Sequence, residues 1–241
     1  MDRRKAGSIL RKRHRKVIKK IVMKKFKRYD ASGLIEAQFE SGSQGRVLKN
    51  LLGIKRKREI DEVETKALKN AIDELLGTYS KKHRFKEADI QKMHKVWLGG
   101  IYEWAGEYRQ VNVSKGDFPF AAAKQIPFLM EEYEKDFLRK HTPCIFKSLE
   151  RVAQALAEVH VELVLIHPFR EGNGRVARIL STIMASQAGL PILDFTDITG
   201  RKRKEYFSAI NIGLDKDYKP MKKIFGQIIE RTLKPKSGEK I

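Results

Sequence analysis

The chain has 241 residues, with 51 Lys and Arg against 30 Asp and Glu, a net charge of +21. That length suits one compact domain with an appendage or two small domains. A composition 41% apolar and 34% charged excludes a disordered or fibrous class. A single cysteine, Cys144, excludes an intramolecular disulfide and a Cys-based zinc cage. It fits a reducing cytoplasm, with export as an effector the alternative. No apolar run approaches the roughly 20 residues that span a bilayer, and no apolar stretch follows the basic start as a secretory signal requires.

The charge is concentrated at the beginning. Residues 1–28 carry fourteen Lys or Arg and one acid, a net +13, which leaves +8 for the other 213 residues. Within this arm Leu10, Val17, Ile18, Ile21, Val22, Phe26 and Tyr29 recur at helical spacing, an apolar stripe among lysines. Such an arm suits nucleic acid or an anionic membrane as partner. The alternative is a stripe packed on the body with its lysines in water, and no nucleic-acid-binding motif favours the first over the second.

Ser41-Gly42-Ser43-Gln44-Gly45 reads as a joint between arm and body. The expected organisation is a basic arm over 1–40, a domain over 41–235 and a tail over 236–241. Apolar periodicity predicts helices over 62–76 and 87–98. At 107–114 the period changes to alternation with β-branched residues, Lys115-Gly116-Asp117 follows as a turn, and Phe118-Pro119-Phe120 returns as a short strand. Helical spacing resumes over 126–138, 149–166, 176–188, 205–212 and 220–233, with Gly189 and Pro191 as a stop signal. The fold class is all-α, with one small β-hairpin.

Between the two strongest helices lies His167-Pro168-Phe169-Arg170-Glu171-Gly172-Asn173-Gly174-Arg175-Val176-Ala177-Arg178. Pro168 ends the preceding helix and forces His167 out of helical geometry, leaving an imidazole able to accept a proton. Gly172-Asn173-Gly174 can turn successive N–H groups into an anion nest at the start of the next helix. Arg175 and Arg178 lie near one face of its first turn, with guanidinium forks suited to phosphate. One carboxylate, Glu171, beside phosphate oxygens is how Mg²⁺ is usually held. Singly, each feature is an ordinary loop, core histidine or solvated face. Together, within twelve residues, they specify a nucleoside-triphosphate site that activates a hydroxyl.

The stretch resembles the Fic family signature, H-P-F-x-[D/E]-G-N-[G/K]-x-x-R, at every specified position. Residues 47–54, 97–115 and 215–221 also look like the family's entry segment, helix and flap, and C-terminal portion. The resemblance implies a Fic-fold helical bundle and transfer of AMP from ATP to a Ser, Thr or Tyr hydroxyl of a target protein. His167 is then the base and Glu171 holds Mg²⁺. Gly172, Asn173 and Gly174 form the anion hole, Arg175 and Arg178 grip the β- and γ-phosphates, and Phe169 fixes the loop. Gly174 favours AMP transfer, because Doc-like members that move phosphate carry Lys there. The flap, through Val111, Val113, Lys115 and Gly116, would offer a strand edge to the target.

Inhibition in many members uses a glutamate on the second signature arginine, in the pattern [S/T]-x-x-x-E-[G/N]. Here the match is Ser32 to Glu36, followed by Ala37, so Glu36 is the inhibitory candidate beside a separate antitoxin chain. His160 is read as packed behind the loop. Trp97, Trp104 and Tyr108 are read as core or flap-root aromatics, and Tyr206 and Asn211 fall where family members contact adenine. The rivals are transfer of UMP or a phosphoryl group, and a basic nucleic-acid- or membrane-binding adaptor with an inactive Fic domain.

Overall fold

A computed structural model describes residues 33–234 except Asp117. The basic run of residues 1–28, its apolar stripe, Ser32, and the tail after 235 lie outside the described residues. The elements in order are α1 (Lys57–Thr78), α2 (Glu87–Leu98), β1 (Ser114–Lys115), β2 (Phe118–Pro119), α3 (Ile126–Tyr133), α4 (Leu149–Ile166), α5 (Asn173–Gln187), α6 (Gly200–Ile212) and α7 (Lys219–Leu233). The strands pair antiparallel, Ser114 opposite Pro119 and Lys115 opposite Phe118. The mostly helical architecture with one small hairpin is the one expected.

The bundle is organised around α4. Ser148 caps its first turn, the Oγ accepting from the Arg151 N–H at 3.3 Å. Its residues are apolar almost all round, so the helix is buried by neighbours on every side: α7, α5, α6 and α3. Leu156, Val159 and Val161 are fully buried, each contributing about 1.5–3 kcal/mol of apolar burial. Gly213 marks the closest approach, since a Cβ there would meet Val161 Cγ1 at 2.2 Å.

The charged groups of α4 are paired, as burial requires. Glu158 accepts from Lys140 and contacts the His141 imidazole, both at 2.8 Å, and Glu162 accepts from Lys216 and Tyr218, both at 2.6 Å. Among the described residues, no helix is long and apolar enough to cross a membrane.

Two expectations change here. Ser41–Gly45 is a turn rather than a joint: Phe39 bridges Leu48, and Glu40 N–H donates to the Val47 carbonyl at 2.9 Å. Residues 34–40 therefore pack with the body, with Glu36 buried. The predicted strand over 107–114 shrinks to Ser114–Lys115, and the residues before it form no strand. Side chains satisfy part of that backbone instead: Glu36 accepts from the Gln110 and Val111 N–H groups, and Arg109 donates to the Val111 carbonyl.

Candidate active site

The six residues 167–172 join α4 to α5, and every side chain that shapes them is fixed. His167 ends α4 in the left-handed region, φ 55° and ψ 59°, where histidine is tolerated and most residues are not. Phe169 is fully buried and stacks on His94 at 4.0 Å between centroids. Asn173 closes the loop on itself: its Oδ1 accepts from the Phe169 N–H and its Nδ2 donates to the Phe169 carbonyl, both at 2.8 Å. Gly172 has φ +81°, and a Cβ there would meet the Trp97 ring at 2.5 Å, so both backbone and space demand glycine.

His94 holds the loop from α2. The Gly106 N–H donates to its Nδ1 at 2.8 Å, so Nε2 carries the proton and donates to the Glu171 carbonyl at 3.2 Å. Burial lowers its pKa to about 4, keeping it neutral and this tautomer intact.

The His167 tautomer is set by the same logic. Nδ1 lies 3.1 Å from the Val164 carbonyl, which can only accept, so Nδ1 is protonated and Nε2 is left as an acceptor. The ring is half-buried and stacks on Phe120 at 3.6 Å. Burial, aided by the charges of Arg109 and Lys115, lowers its pKa to about 3. At neutral pH the imidazole is therefore a free base.

Positive charge gathers around the loop and the helix start that follows it. Arg178 is half-buried and has no carboxylate partner among the described residues; burial lowers its pKa, and Arg175 and Arg203 add to the effect. Lys115 places its ammonium over the Phe207 ring at 3.6 Å, where burial and Arg203 lower its pKa. At the start of α5 the N–H groups of Asn173 and Gly174 take no acceptor among the described residues, and the helix dipole points the same way. Cations held near one another, together with unused N–H groups, are the arrangement a polyanion stabilises. Glu171 is the one carboxylate there. Both of its hydrogen bonds, from the Gly172 N–H at 2.9 Å and Arg175 at 3.3 Å, fall on Oε1, leaving Oε2 for another ligand.

The structure brings His167, Glu171, Gly172, Asn173, Gly174, Arg175 and Arg178 onto one loop and helix start, and it revises several roles. Asn173 offers the nest its N–H alone, because its side chain clips the loop. Arg175 is held by Glu64 of α1 at 2.6 Å and lies over Trp97 at 4.5 Å, so it is tied to the fold rather than waiting for phosphate. Glu64, buried, also accepts from Tyr102 at 2.7 Å.

Glu36 is not on Arg178. Its Oε1 accepts from the N–H groups of Gln110 and Val111, at 2.6 and 3.0 Å, on the flap. Val111 thus has its N–H on Glu36 and its carbonyl on Arg109, while the Val113 carbonyl accepts from Phe120. Only Lys115 and Gly116 of the expected docking residues stand exposed at the tip, with Gly116 at φ +57°. His160 is fully buried, bonded to Ser181 and to the Tyr206 hydroxyl. That burial removes it as a base and turns Tyr206 inward, and Asn211 is exposed at the end of α6. Trp97 and Trp104 are core.

Sequence reasoning missed Glu64, His94, Arg109 and Arg203. Each acts on the loop from a distant segment, so no local pattern points to it.

Fold and site together define a helical bundle whose central loop sets an unprotonated histidine ahead of a basic helix start. Residues 84–185 match the model of the Fic/DOC family. Over 148 residues the chain is 33% identical to the protein adenylyltransferase VbhT of Bartonella schoenbuchensis, covering 61% of this chain and 30% of that protein. It is 32% identical over 148 residues to the protein adenylyltransferase Fic of Nematostella vectensis, covering 60% of this chain and 32% of that protein. The chain thus spans about a third of the length of these curated relatives.

Solved structures share the fold. The BepC protein of Bartonella tribocorum, crystallised with bound AMPPNP, superposes with a TM-score of 0.64 at 24% identity, covering 81% of this chain and 97% of that one. The N-terminal Fic domain of a VirB-translocated Bep effector protein of Bartonella quintana, crystallised with bound ADP, gives 0.62 at 26% identity, covering 79% and 92%.

Proposed function

We propose that the chain is a protein adenylyltransferase, moving AMP from ATP to a Ser, Thr or Tyr hydroxyl of a target protein. One observation carries the reading: His167 Nε2 is an unprotonated acceptor on the loop that leads into a helix start whose first N–H groups, with Arg178, find no acceptor or carboxylate partner among the described residues. In the reaction the target hydroxyl gives its proton to Nε2 and its oxygen attacks the α-phosphorus. The bond to the bridging oxygen breaks and pyrophosphate leaves. The Asn173 and Gly174 N–H groups and Arg178 stabilise charge on the phosphates, with Lys115 and Arg203 adding to the field. His94 and Asn173 keep the loop from yielding as that charge builds.

Glu171 fits Mg²⁺, since an exposed carboxylate with one uncommitted oxygen beside phosphates is the usual donor set. The ion would neutralise phosphate charge there. A glycine at 174, with open space around its Cβ position, supports AMP transfer over the phosphate transfer associated with lysine at that place. The relatives named protein adenylyltransferases support the same choice. The target docks at the exposed flap tip, around Lys115 and Gly116.

The test is incubation with α-³²P-labelled ATP, Mg²⁺ and lysate, beside His167→Ala. Label in a protein band that the variant loses is expected. Label from γ-³²P-ATP alone would replace the reading with phosphoryl transfer, and no label from either would replace it with an adaptor role.

A further inference from the structure

Arg109 is the largest charged side chain fully inside the protein, 1% exposed, and neither the signature loop nor the nucleotide cradle accounts for it. Its guanidinium has no ion pair among the described residues. Instead it donates to three main-chain carbonyls: Nε to His167 at 2.7 Å, Nη1 to Val111 at 2.7 Å and Nη2 to Ala121 at 2.6 Å. Its own N–H donates to the Pro168 carbonyl at 2.9 Å. A buried guanidinium is costly to desolvate, so this placement calls for a task only its planar fork can do.

The three carbonyls belong to three separate strands of chain. His167 is in the loop, Val111 is on the way into the flap, and Ala121 is on the way out. His167 is also the residue held in the left-handed region immediately before a proline, a conformation that persists only where surroundings impose it. Two of the four bonds fall on the successive His167 and Pro168 carbonyls, fixing the two peptides that follow the His167 Cα. The neighbouring flap N–H groups, of Gln110 and Val111, are fixed in turn by buried Glu36, and Arg170 of the loop donates to the Glu36 carbonyl at 2.8 Å.

We propose that Arg109 is the positioning residue of this site: it holds the His167 backbone in its left-handed conformation and ties the catalytic base to both legs of the target-docking flap. The inference rests on His167 being the base. Without the fork, the His167 peptide relaxes, the Nδ1–Val164 bond is lost, and the ring no longer presents Nε2 as the acceptor. The nucleotide cradle, built from α5, Asn173 and Arg178, does not depend on it.

The test compares wild type with Arg109→Lys, which keeps the charge but replaces the fork by a point donor, and Arg109→Gln. Folding is followed by circular dichroism and nucleotide affinity with AMPPNP. Expected is a fall of about a hundredfold in the kcat of AMP transfer, with AMPPNP affinity held within about twofold. In ¹⁵N NMR the His167 ring should change from a single Nδ1-protonated tautomer to a mixture. An unchanged tautomer and kcat in a folded variant overturns the proposal, as does a parallel loss of kcat and AMPPNP affinity.

A measurement on the wild type stands even if both variants fail to fold. The Arg109 Nε–H signal should be resolved and protected from solvent exchange, and rapid exchange would overturn the strut. If the wild type transfers no AMP, the activity reading fails, while the tautomer and exchange measurements still decide the role of Arg109.

Discussion

The loop at 167–178 and the flap at 107–121 form two walls of one site, yet they are built on opposite principles. The turn of the loop is made by its own residues, with His94 and Arg109 bracing it from outside: Asn173 clips Phe169 four residues back, Gly172 turns the chain, and α5 starts at once. The flap is held by long-range bonds: Glu36 fills its N–H groups, and its own Arg109 reaches across to the loop. A local motif therefore describes the first almost completely, whereas alternation of residue types describes the second poorly. The comparison also separates the proposed chemistry from its positioning, since the proposed base and cradle lie on the loop while Arg109, on the flap, bonds the His167 carbonyl.

The comparison breaks hardest at the base. His167→Asn should lower AMP transfer by about 10²–10⁴-fold, with AMPPNP binding intact by calorimetry. Transfer within a few-fold of wild type would show that the loop holds no base.

Gly172→Ala tests the turn on the loop side. The positive φ and the clash with Trp97 should together cost about 2–4 kcal/mol in urea unfolding. Adding Trp97→Leu should leave the backbone part of that loss and reduce the steric part. A Gly172→Ala protein as stable as wild type would contradict both.

Glu36→Ala sharpens the flap side. Removing the carboxylate leaves two flap N–H groups without an acceptor and should cost about 1–3 kcal/mol. Self-modification should fall or stay level as the flap loosens. A sharp rise would restore Glu36 to an inhibitory role that its geometry does not support.

A smaller effect is expected with pH. His94 is held to about 4, and His160 and His167 to about 3, by burial, against 6.5 for the ordinary group. Below about pH 6.5 the unfolded chain takes up protons that the folded chain refuses, so stability falls as pH drops through that window. Melting temperature should be lower at about pH 5 than at about pH 7, and His160→Gln should weaken the dependence. A flat profile would mean these rings are protonated in the folded protein.

The smallest effect on catalysis is expected from deleting residues 1–28. Transfer should change little, while the salt dependence of DNA and anionic-vesicle binding measures what that charge is for. A slope unchanged by the deletion would remove it from either role.

Helix existence was readable throughout, because the apolar stripes of α2, α4 and α7 are long and regular. The starts of α5 and α6 lie three and five residues earlier than periodicity placed them, since Asn173 and the polar turn from Gly200 carry no apolar signal. The strand over 107–114 failed for a different reason. Alternation says that a segment is extended, but its hydrogen-bond partners are chosen in three dimensions, and here they are a carboxylate and a guanidinium.

The overall charge has the same lesson. By itself the chain determined a helical body, a contiguous loop that opens the helix after it and a strongly basic beginning, because each is written in neighbouring residues. Only the tertiary structure decided that Arg175 is tied to Glu64, that Glu36 belongs to the flap, and that Arg109 joins the two walls at His167. Those contacts link segments far apart in sequence, and a buried charge takes whichever partner the packing delivers.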